Sequence, residues 1–177
     1  FNGILASFEQ QQEVDGYVFY QAALVPRLWW LSLTHHNQVF LDQSVKEIVE
    51  AVLKDGGLAS LDYEFRLQGS YATQEYVCQY AESHLDFIER WLAREGIYYY
   101  FEQTENGERV VFTDTVIAHR TSPLGSDLVF APPSGLNAMH AGESVQNIIC
   151  RQHQLPKSVL LKDYNYRKPT LEMTGSA

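Results

Sequence analysis

The stretch "YAESHLDFIERWLAREGIYYYFEQ", residues 80–103, carries the clearest structural pattern in the chain. Ser83 and Asp86 have the spacing of a helix-capping box, in which a hydroxyl accepts a hydrogen bond from the amide three residues later. Apolar residues then recur at helical spacing on one stripe: Leu85, Ile88 and Leu92. Gly96 predicts the end of the helix, because glycine enters the left-handed conformation without a steric penalty. The pattern predicts an amphipathic helix over residues 83–95.

Five large apolar or aromatic residues, "IYYYF", follow that glycine and are predicted to form a strand. Side chains alternate between the two faces of a strand, so Tyr98 and Tyr100 share a face with Glu102. A glutamate is rarely fully buried, which makes this the wetter face and makes the two tyrosines candidate interface residues. The opposite face is predicted to join the core, and its members are Ile97, Tyr99 and Phe101.

A second capped helix is predicted earlier in the chain. Ser44 and Glu47 form an S-x-x-E capping box. The apolar residues that follow lie on one helical face: Val45, Ile48, Val49, Val52 and Leu53. Gly56 stops the pattern, so the helix is expected over residues 44–55.

Most other segments read as strands. "GILASFEQ" and "GYVFYQAALV" alternate in polarity and are predicted to pair antiparallel across a polar linker, "QQQEVD". "DYEFRLQG", "EYVCQY" and "ERVVFTDT" follow, with a hairpin at "ENG". Residues 114–142 read as a long loop, and "SVQNIICRQHQ" and "SVLLKDYNYRK" as two strands joined at "LPK", with the tail pointing outward. The chain is therefore predicted to be mainly β, with small antiparallel β-barrels and two inserted amphipathic helices.

Composition excludes several classes of partner. The 177 residues are 45% hydrophobic and 13% aromatic, with a formal net charge of -9. Nucleic-acid binding needs clustered Lys and Arg, and anionic membranes repel such an acidic chain. No apolar run approaches the roughly 18 residues of a membrane span. The opening "FNGILASF" begins like the middle of a strand, so we expect a piece of a longer protein. Cys78 and Cys150 lie in apolar stretches and are predicted to be buried, reduced thiols.

The residues offer no recognisable chemistry. The histidines are scattered and lack metal-binding spacing: His35, His36, His84, His119, His140 and His153. Glu82 and Asp86 lie one turn apart, but they suit the positive end of a helix dipole better than a glycosidase pair. We predict no catalytic, cofactor-binding or metal-ligating residue, and hence no enzyme. A small hydrolase that uses Glu82 or a histidine remains an alternative.

Three blocks of sequence resemble, in order, the N-terminal hub region of the VgrG family. They are "VFLDQSVKEIVEAVLKDGG", "YVCQYAESHLDFIERWLAREGIYYYFE" and "VLLKDYNYRKP". VgrG proteins are the spike proteins of bacterial type VI secretion systems, related to the baseplate hub of contractile phage tails. The resemblance runs from about Phe1 to Pro169.

The resemblance implies a structural protein without catalysis. It implies a homotrimeric hub that joins the hexameric tube protein, Hcp, to the cell-puncturing needle and helps deliver effectors. A PAAR-repeat tip protein and effectors would be reached through later parts of the chain. It also implies assembly in the bacterial cytoplasm, followed by secretion or injection.

Two hub barrels are expected on the same basis. Residues 1–60 would belong to the first, with the helix at 44–55. Residues 61–177 would form the second, with the helix at 83–95 and the loop at 114–142. The competing prediction is a carbohydrate-binding β-barrel in which Tyr98 and Tyr100 form a stacking platform.

Overall fold

The computed structural model describes residues 1–105, 107–120, 129–131 and 144–176. The chain divides into two compact units, Phe1–Arg120 and Thr121–Ala177.

Two helices supply half of the buried hydrophobic core of the first unit. Helix α1 spans Val45–Asp55 and helix α2 spans His84–Glu95. Helix α2 buries one stripe at helical spacing: His84, Phe87, Ile88, Trp91 and Leu92. A 3-10 helix at Arg27–Ser32 adds Leu28 and Leu31, each 2% exposed. The sequence of this segment is "RLWWLS", and its continuous apolar run does not by itself distinguish a strand from a helical turn.

Two sheets cover these helices. Strand β3 (His35–Gln43) pairs antiparallel with β5 (Gln74–Ser83). Strand β7 (Gly107–Thr113) lies between β4 (Tyr63–Arg66) and β6 (Tyr98–Thr104). Strand β7 is antiparallel to β6 but parallel to β4. The parallel pair departs from the predicted all-antiparallel arrangement. It arises because a crossover that contains β5, α2 and β6 separates the two strands in the chain.

A two-stranded hairpin opens the chain. Strand β1 (Ile4–Val14) pairs antiparallel with β2 (Tyr17–Val25), as the alternation predicts. The segment predicted as a polar linker instead continues β1. The connection is only Asp15 and Gly16, whose φ angles of 51° and 80° are both left-handed. This two-residue Asp-Gly turn matches the natural twist of the two strands.

The second unit has little regular structure among its described residues. Phe130 and Val145 form an isolated bridge, and β8 (Leu160–Asp163) pairs with β9 (Met173–Ser176). The predicted pairing of "SVQNIICRQHQ" with "SVLLKDYNYRK" is therefore wrong, and the tail forms a strand. Much of the predicted loop 114–142 lies outside the described residues, at 121–128 and 132–142, as does Asn106 of the predicted "ENG" turn. The described part of that loop contains a 3-10 helix at Val116–Ala118.

The predicted fold class, mainly β with two inserted amphipathic helices, is confirmed. Within the described residues the sheets have two or three strands, and none of them closes into a barrel. The boundary between hub barrels at 60 and 61 stays a prediction. Residues on both sides of that position share one core, which includes Val52 and Leu53 as well as Phe87 and Ile88.

Candidate functional site

The predicted interface tyrosines lie on the outer face of the β4–β7–β6 sheet. Tyr98 is 38% exposed and its hydroxyl lies 2.9 Å from His119 Nε2. Tyr100 is half-buried, and its hydroxyl donates to the Ala118 carbonyl at 3.1 Å. The His119 ring stacks against both tyrosines, with centroid separations of 5.7 Å to Tyr98 and 4.5 Å to Tyr100. His119 therefore covers the ring faces that a sugar platform would need to expose.

A network of charged side chains continues this face beside the tyrosines. Arg66 binds Glu102 through two hydrogen bonds of 2.6 Å and 2.9 Å, and it binds Glu64 through two more of 2.8 Å and 2.9 Å. Arg109 donates to the same Glu102 carboxylate at 2.9 Å. Hydrogen bonds from Arg66, then from Arg109, hold the pKa of Glu102 down at about 2, against a usual value of 4.5. Such paired, two-pronged contacts fix the geometry of the face.

The inner face of β6 is less deeply buried than its alternation predicts. Ile97 is 4% exposed, as expected for a core residue. Tyr99 is half-buried, packs on Phe112 with a centroid separation of 5.8 Å, and donates its hydroxyl to Glu89 at 2.5 Å. Phe101 is 37% exposed, so its assignment to the core is wrong. Phe101 is exposed because β6 is an edge strand and because Phe101 lies further along it than Tyr99, towards the turn of the β6–β7 hairpin.

The capping residues behave differently at the two helices. At α1 the box is complete, since the Ser44 hydroxyl accepts from the Glu47 amide and the Glu47 carboxylate accepts from the Ser44 amide at 2.8 Å. At α2 the Ser83 hydroxyl accepts from the Asp86 amide at 3.0 Å, but the Asp86 carboxylate binds that hydroxyl at 2.6 Å. The predicted box at α2 is thus only half of one, because aspartate is one methylene shorter than glutamate.

The end of helix α2 matches the sequence pattern, and Ile88 and Leu92 of the predicted stripe are buried, but Leu85 is only half-buried. Gly96 caps the helix in the left-handed conformation, with φ of 71°. Leu92 is 3% exposed and belongs to the core of the first unit.

Large apolar side chains are exposed on two surfaces of the first unit. On the β1–β2 hairpin, Phe8 and Tyr20 stack at 5.4 Å and are 64% and 57% exposed. The outer β3–β5 face is formed by side chains that point away from the helices: Val39 53%, Leu41 58%, Tyr76 61% and Tyr80 78% exposed. A two-stranded ribbon is marginally stable by itself in water, so these surfaces are typical of sheets that another segment covers.

Three side chains that the sequence spacing does not connect lie together at one end of the helices. His36, Asp55 and His84 place their ligand atoms within 4.8 Å of one another. His84 Nε2 lies 3.0 Å from Asp55 Oδ2, and the His36 and His84 rings stack with centroids 3.7 Å apart. Burial, and next the proximity of His36, lower the pKa of His84, which therefore stays neutral at pH 7.

The two cysteines are not buried as predicted. Cys78 is half-buried on β5 and Cys150 is exposed in the second unit, and both are free thiols. No helix among the described residues has the length and apolar character needed to cross a membrane.

Comparison with known proteins identifies what this chain is similar to. The family model described as the phage tail baseplate hub (GPD) matches residues 1–177. The type VI secretion system spike protein VgrG1c of Pseudomonas aeruginosa is 34% identical over 169 residues, which covers 96% of this chain and 23% of that protein. The actin cross-linking toxin VgrG1 of Vibrio cholerae is 31% identical over 172 residues, 95% of this chain and 15% of that protein.

One solved structure has the same fold. It is the E. coli c3393 protein, a component of the type VI secretion system with structural similarity to the T4 bacteriophage tail proteins gp27 and gp5. The TM-score is 0.65 at 22% identity, with 93% of this chain and 40% of that chain covered. The present chain thus spans about a quarter or less of the curated relatives it matches.

Proposed function

We infer that this chain, which belongs to the phage tail baseplate hub (GPD) family, is a structural part of a type VI secretion spike of the VgrG kind. The observation that carries this proposal is the match of the family model to the whole chain, residues 1–177. Spike proteins from two genera share about a third of its residues over nearly its full length.

The specific role we propose is a homotrimeric hub. In this role three chains would form a ring that joins the hexameric tube protein, Hcp, to the needle and helps deliver effectors. The exposed apolar surfaces support it, since the stacked pair Phe8 and Tyr20 and the outer β3–β5 face would be covered by further chain or by another copy. A PAAR-repeat tip protein and effectors would be reached through other parts of the spike.

The outer face of the β4–β7–β6 sheet supports the proposal in a second way. Tyr98 offers a partly exposed ring beside a rigid network of charges formed by Arg66, Glu102 and Arg109. Tyrosine beside arginine is the composition that protein interfaces favour. We propose that Tyr98 and Tyr100 contact a neighbouring subunit or segment through this face.

We propose that the role is not enzymatic. Arg66 and Arg109 form ion pairs with Glu64 and Glu102 across the β4–β7–β6 sheet. These charged side chains therefore bind one another rather than line a cleft. In the proposed role the protein assembles in the bacterial cytoplasm and leaves the cell, or enters a target cell, through the type VI system.

The test is assembly of the full-length spike. Light scattering coupled to size exclusion should give the mass of a trimer at micromolar concentration, and deletion of the gene should abolish export of Hcp. Phe8→Ser with Tyr20→Ser should weaken assembly, whereas Glu9→Ser with Gln21→Ser serves as the control on the opposite face of the same hairpin. A monomer together with normal Hcp export would overturn the proposal, and binding on a glycan array would favour the carbohydrate module instead.

A further inference from the structure

We propose that His36, Asp55 and His84 form a binding site for a divalent transition-metal ion such as Zn²⁺. The proposal does not depend on the spike function. Three separate elements supply the donors: His36 is on β3, Asp55 is the last residue of α1, and His84 is the first residue of α2. The β3–β5 pairing brings two of them together, because His35 lies opposite Ser83 and His36 opposite Glu82.

The donor set matches the chemistry of such ions. Two imidazoles and one carboxylate suit zinc and its first-row neighbours, whereas Mg²⁺ and Ca²⁺ prefer oxygen ligands throughout. In a tetrahedral zinc site, with ligand distances of about 2.0–2.2 Å, neighbouring ligand atoms lie about 3.3 Å apart. His84 Nε2 and Asp55 Oδ2 are already 3.0 Å apart, so an ion would widen this pair by only a few tenths of an ångström.

At the buried end of the site, His84 contacts a second residue, Gln79, as metal-binding histidines usually contact a residue behind them. His84 is 2% exposed and Gln79 is fully buried beside it. Gln79 Nε2 donates to the Glu82 carbonyl at 3.1 Å, which fixes the amide, and its Oε1 lies 3.3 Å from His84 Nδ1. The amide nitrogen is equally near that ring atom, at 3.2 Å. In the absence of an ion, His84 Nε2–H donates to Asp55 Oδ2 and Nδ1 accepts from the Gln79 amide nitrogen. An ion bound at Nε2 would require the imidazole proton to be on Nδ1 instead, where Gln79 Oε1 is near enough to accept it, which is the arrangement that metal-bound histidines show.

The carboxylate is oriented as well. Gln38 Nε2 donates to Asp55 Oδ2 at 2.6 Å, from the solvent side of the site. A carboxylate has about four lone-pair positions, so this hydrogen bond leaves room for an ion. Asp55 can therefore keep its outer partner while it binds the metal.

His36 is the ligand that has to move. Its ring lies parallel to that of His84, with an interplanar angle of 7°, so their lone pairs do not converge on one point. His36 is only half-buried, and its Nε2 is bonded at 2.6 Å to Thr34, an exposed residue. A rotation of this one ring, together with the small widening of the His84–Asp55 pair, would complete three protein ligands and leave a fourth position for water.

The experiment is zinc binding by the chelator-treated full chain. Calorimetry with ZnCl₂ should give one ion per chain. The melting temperature should rise by roughly 5–10 °C when free zinc is about a hundred times the dissociation constant. His36→Gln and Asp55→Asn should each weaken binding by at least about tenfold. Both are partly exposed positions, so the variants test the site without the folding risk of a change at His84.

The matched control is His35→Gln. His35 is exposed, adjacent to His36 and on the opposite face of β3, so this variant should bind zinc like the wild type. Absence of stoichiometric binding would overturn the proposal. So would wild-type affinity in both His36→Gln and Asp55→Asn, since the zinc would then be held elsewhere.

Discussion

Glu102→Gln should make the first unit less stable at neutral pH and less sensitive to acid. The Glu102 carboxylate is shared by Arg66 and Arg109, and its side chain is 18% exposed. Its pKa is about 2 in the folded chain, against 4.5 ordinarily. The folded state therefore binds this proton less readily than the unfolded state, so the carboxylate contributes stability above pH of about 4.5 and loses that contribution as the pH falls towards 2.

The magnitude follows from that difference. Each pKa unit corresponds to about 1.4 kcal/mol, so the difference between 4.5 and about 2 gives an upper value of about 3.4 kcal/mol. Arg109 is 30% exposed, and solvent screens part of the interaction, so we expect 1–3 kcal/mol, roughly, in the free energy of unfolding. Arg66 keeps its hydrogen bonds to Glu64 and Tyr100 in the variant, which prevents it from becoming an isolated buried charge.

Urea titrations of the wild type and Glu102→Gln between pH 7 and pH 2.5, followed by tryptophan fluorescence, would measure the effect. The two free energies of unfolding should differ most at pH 7, and their difference should shrink below pH of about 4.5 and fall to less than half of its pH 7 value at pH 2.5. Glu105→Gln is the control, because it removes the same charge from an exposed position in the turn of the same hairpin. Parallel pH profiles for the wild type and Glu102→Gln, or an equal effect of the control, would refute the reasoning.

Three further predictions concern helix α2 and strand β6 and can be checked by the same urea titrations. Leu92→Ala should lower the free energy of unfolding by about 2–5 kcal/mol as a buried truncation. Arg94→Ala should lower it by at most about 1 kcal/mol, since the exposed guanidinium lies over the Trp91 ring at 4.8 Å and makes only a long ion pair of 3.9 Å with Glu95; similar losses would mean that the buried stripe is wrong. Tyr99→Ala should cost about 2–4 kcal/mol because its ring packs on the core, and Tyr98→Ala less than about 1 kcal/mol; the reverse order would place the strand in the other register. Gly96→Ala should cost about 1 kcal/mol because its φ of 71° strains any other residue, and an unchanged midpoint would argue against that conformation.

Local patterns predicted the helices well, because their determinants lie within one turn of the chain. Ser44, Glu47 and Gly96 act on neighbouring amides and carbonyls, so the residues themselves specify where a helix begins or ends. Local patterns did not predict how deeply each residue is buried. Alternation assigned Phe101 to the correct face, but it carries no information on how far that face extends beneath other elements.

The main errors of the sequence-based prediction concern strands that are exposed on both faces. The polar segment "QQQEV" continues β1 because neither face of the hairpin is buried, so polarity does not interrupt the ladder. The β8–β9 pair was missed for the same reason, since all eight of its residues are exposed and show no alternation in burial. The turn was nevertheless present in the sequence, as Asp15 followed by Gly16.

The histidine cluster could not be predicted from spacing. His36 and His84 meet only because β3 and β5 pair in one particular register, and Asp55 joins them because α1 ends beside the start of α2. A strand register between distant segments is set by the whole sheet rather than by a local motif. Prediction of that pairing would have been enough to place His36 opposite Glu82, two residues before His84.

The central position of β7 determines the order in which the first unit can form on a ribosome. Residues emerge from the N-terminus, so α1, β4 and α2 leave the exit tunnel before the strand that joins β4 to β6. The β6–β7 hairpin closes a short loop and can form at once, whereas residue 63 must wait for residue 110 before the parallel pair can close. Val110 to Thr113 are almost entirely buried, so a nascent chain that stops short of them presents the apolar sides of both helices to chaperones.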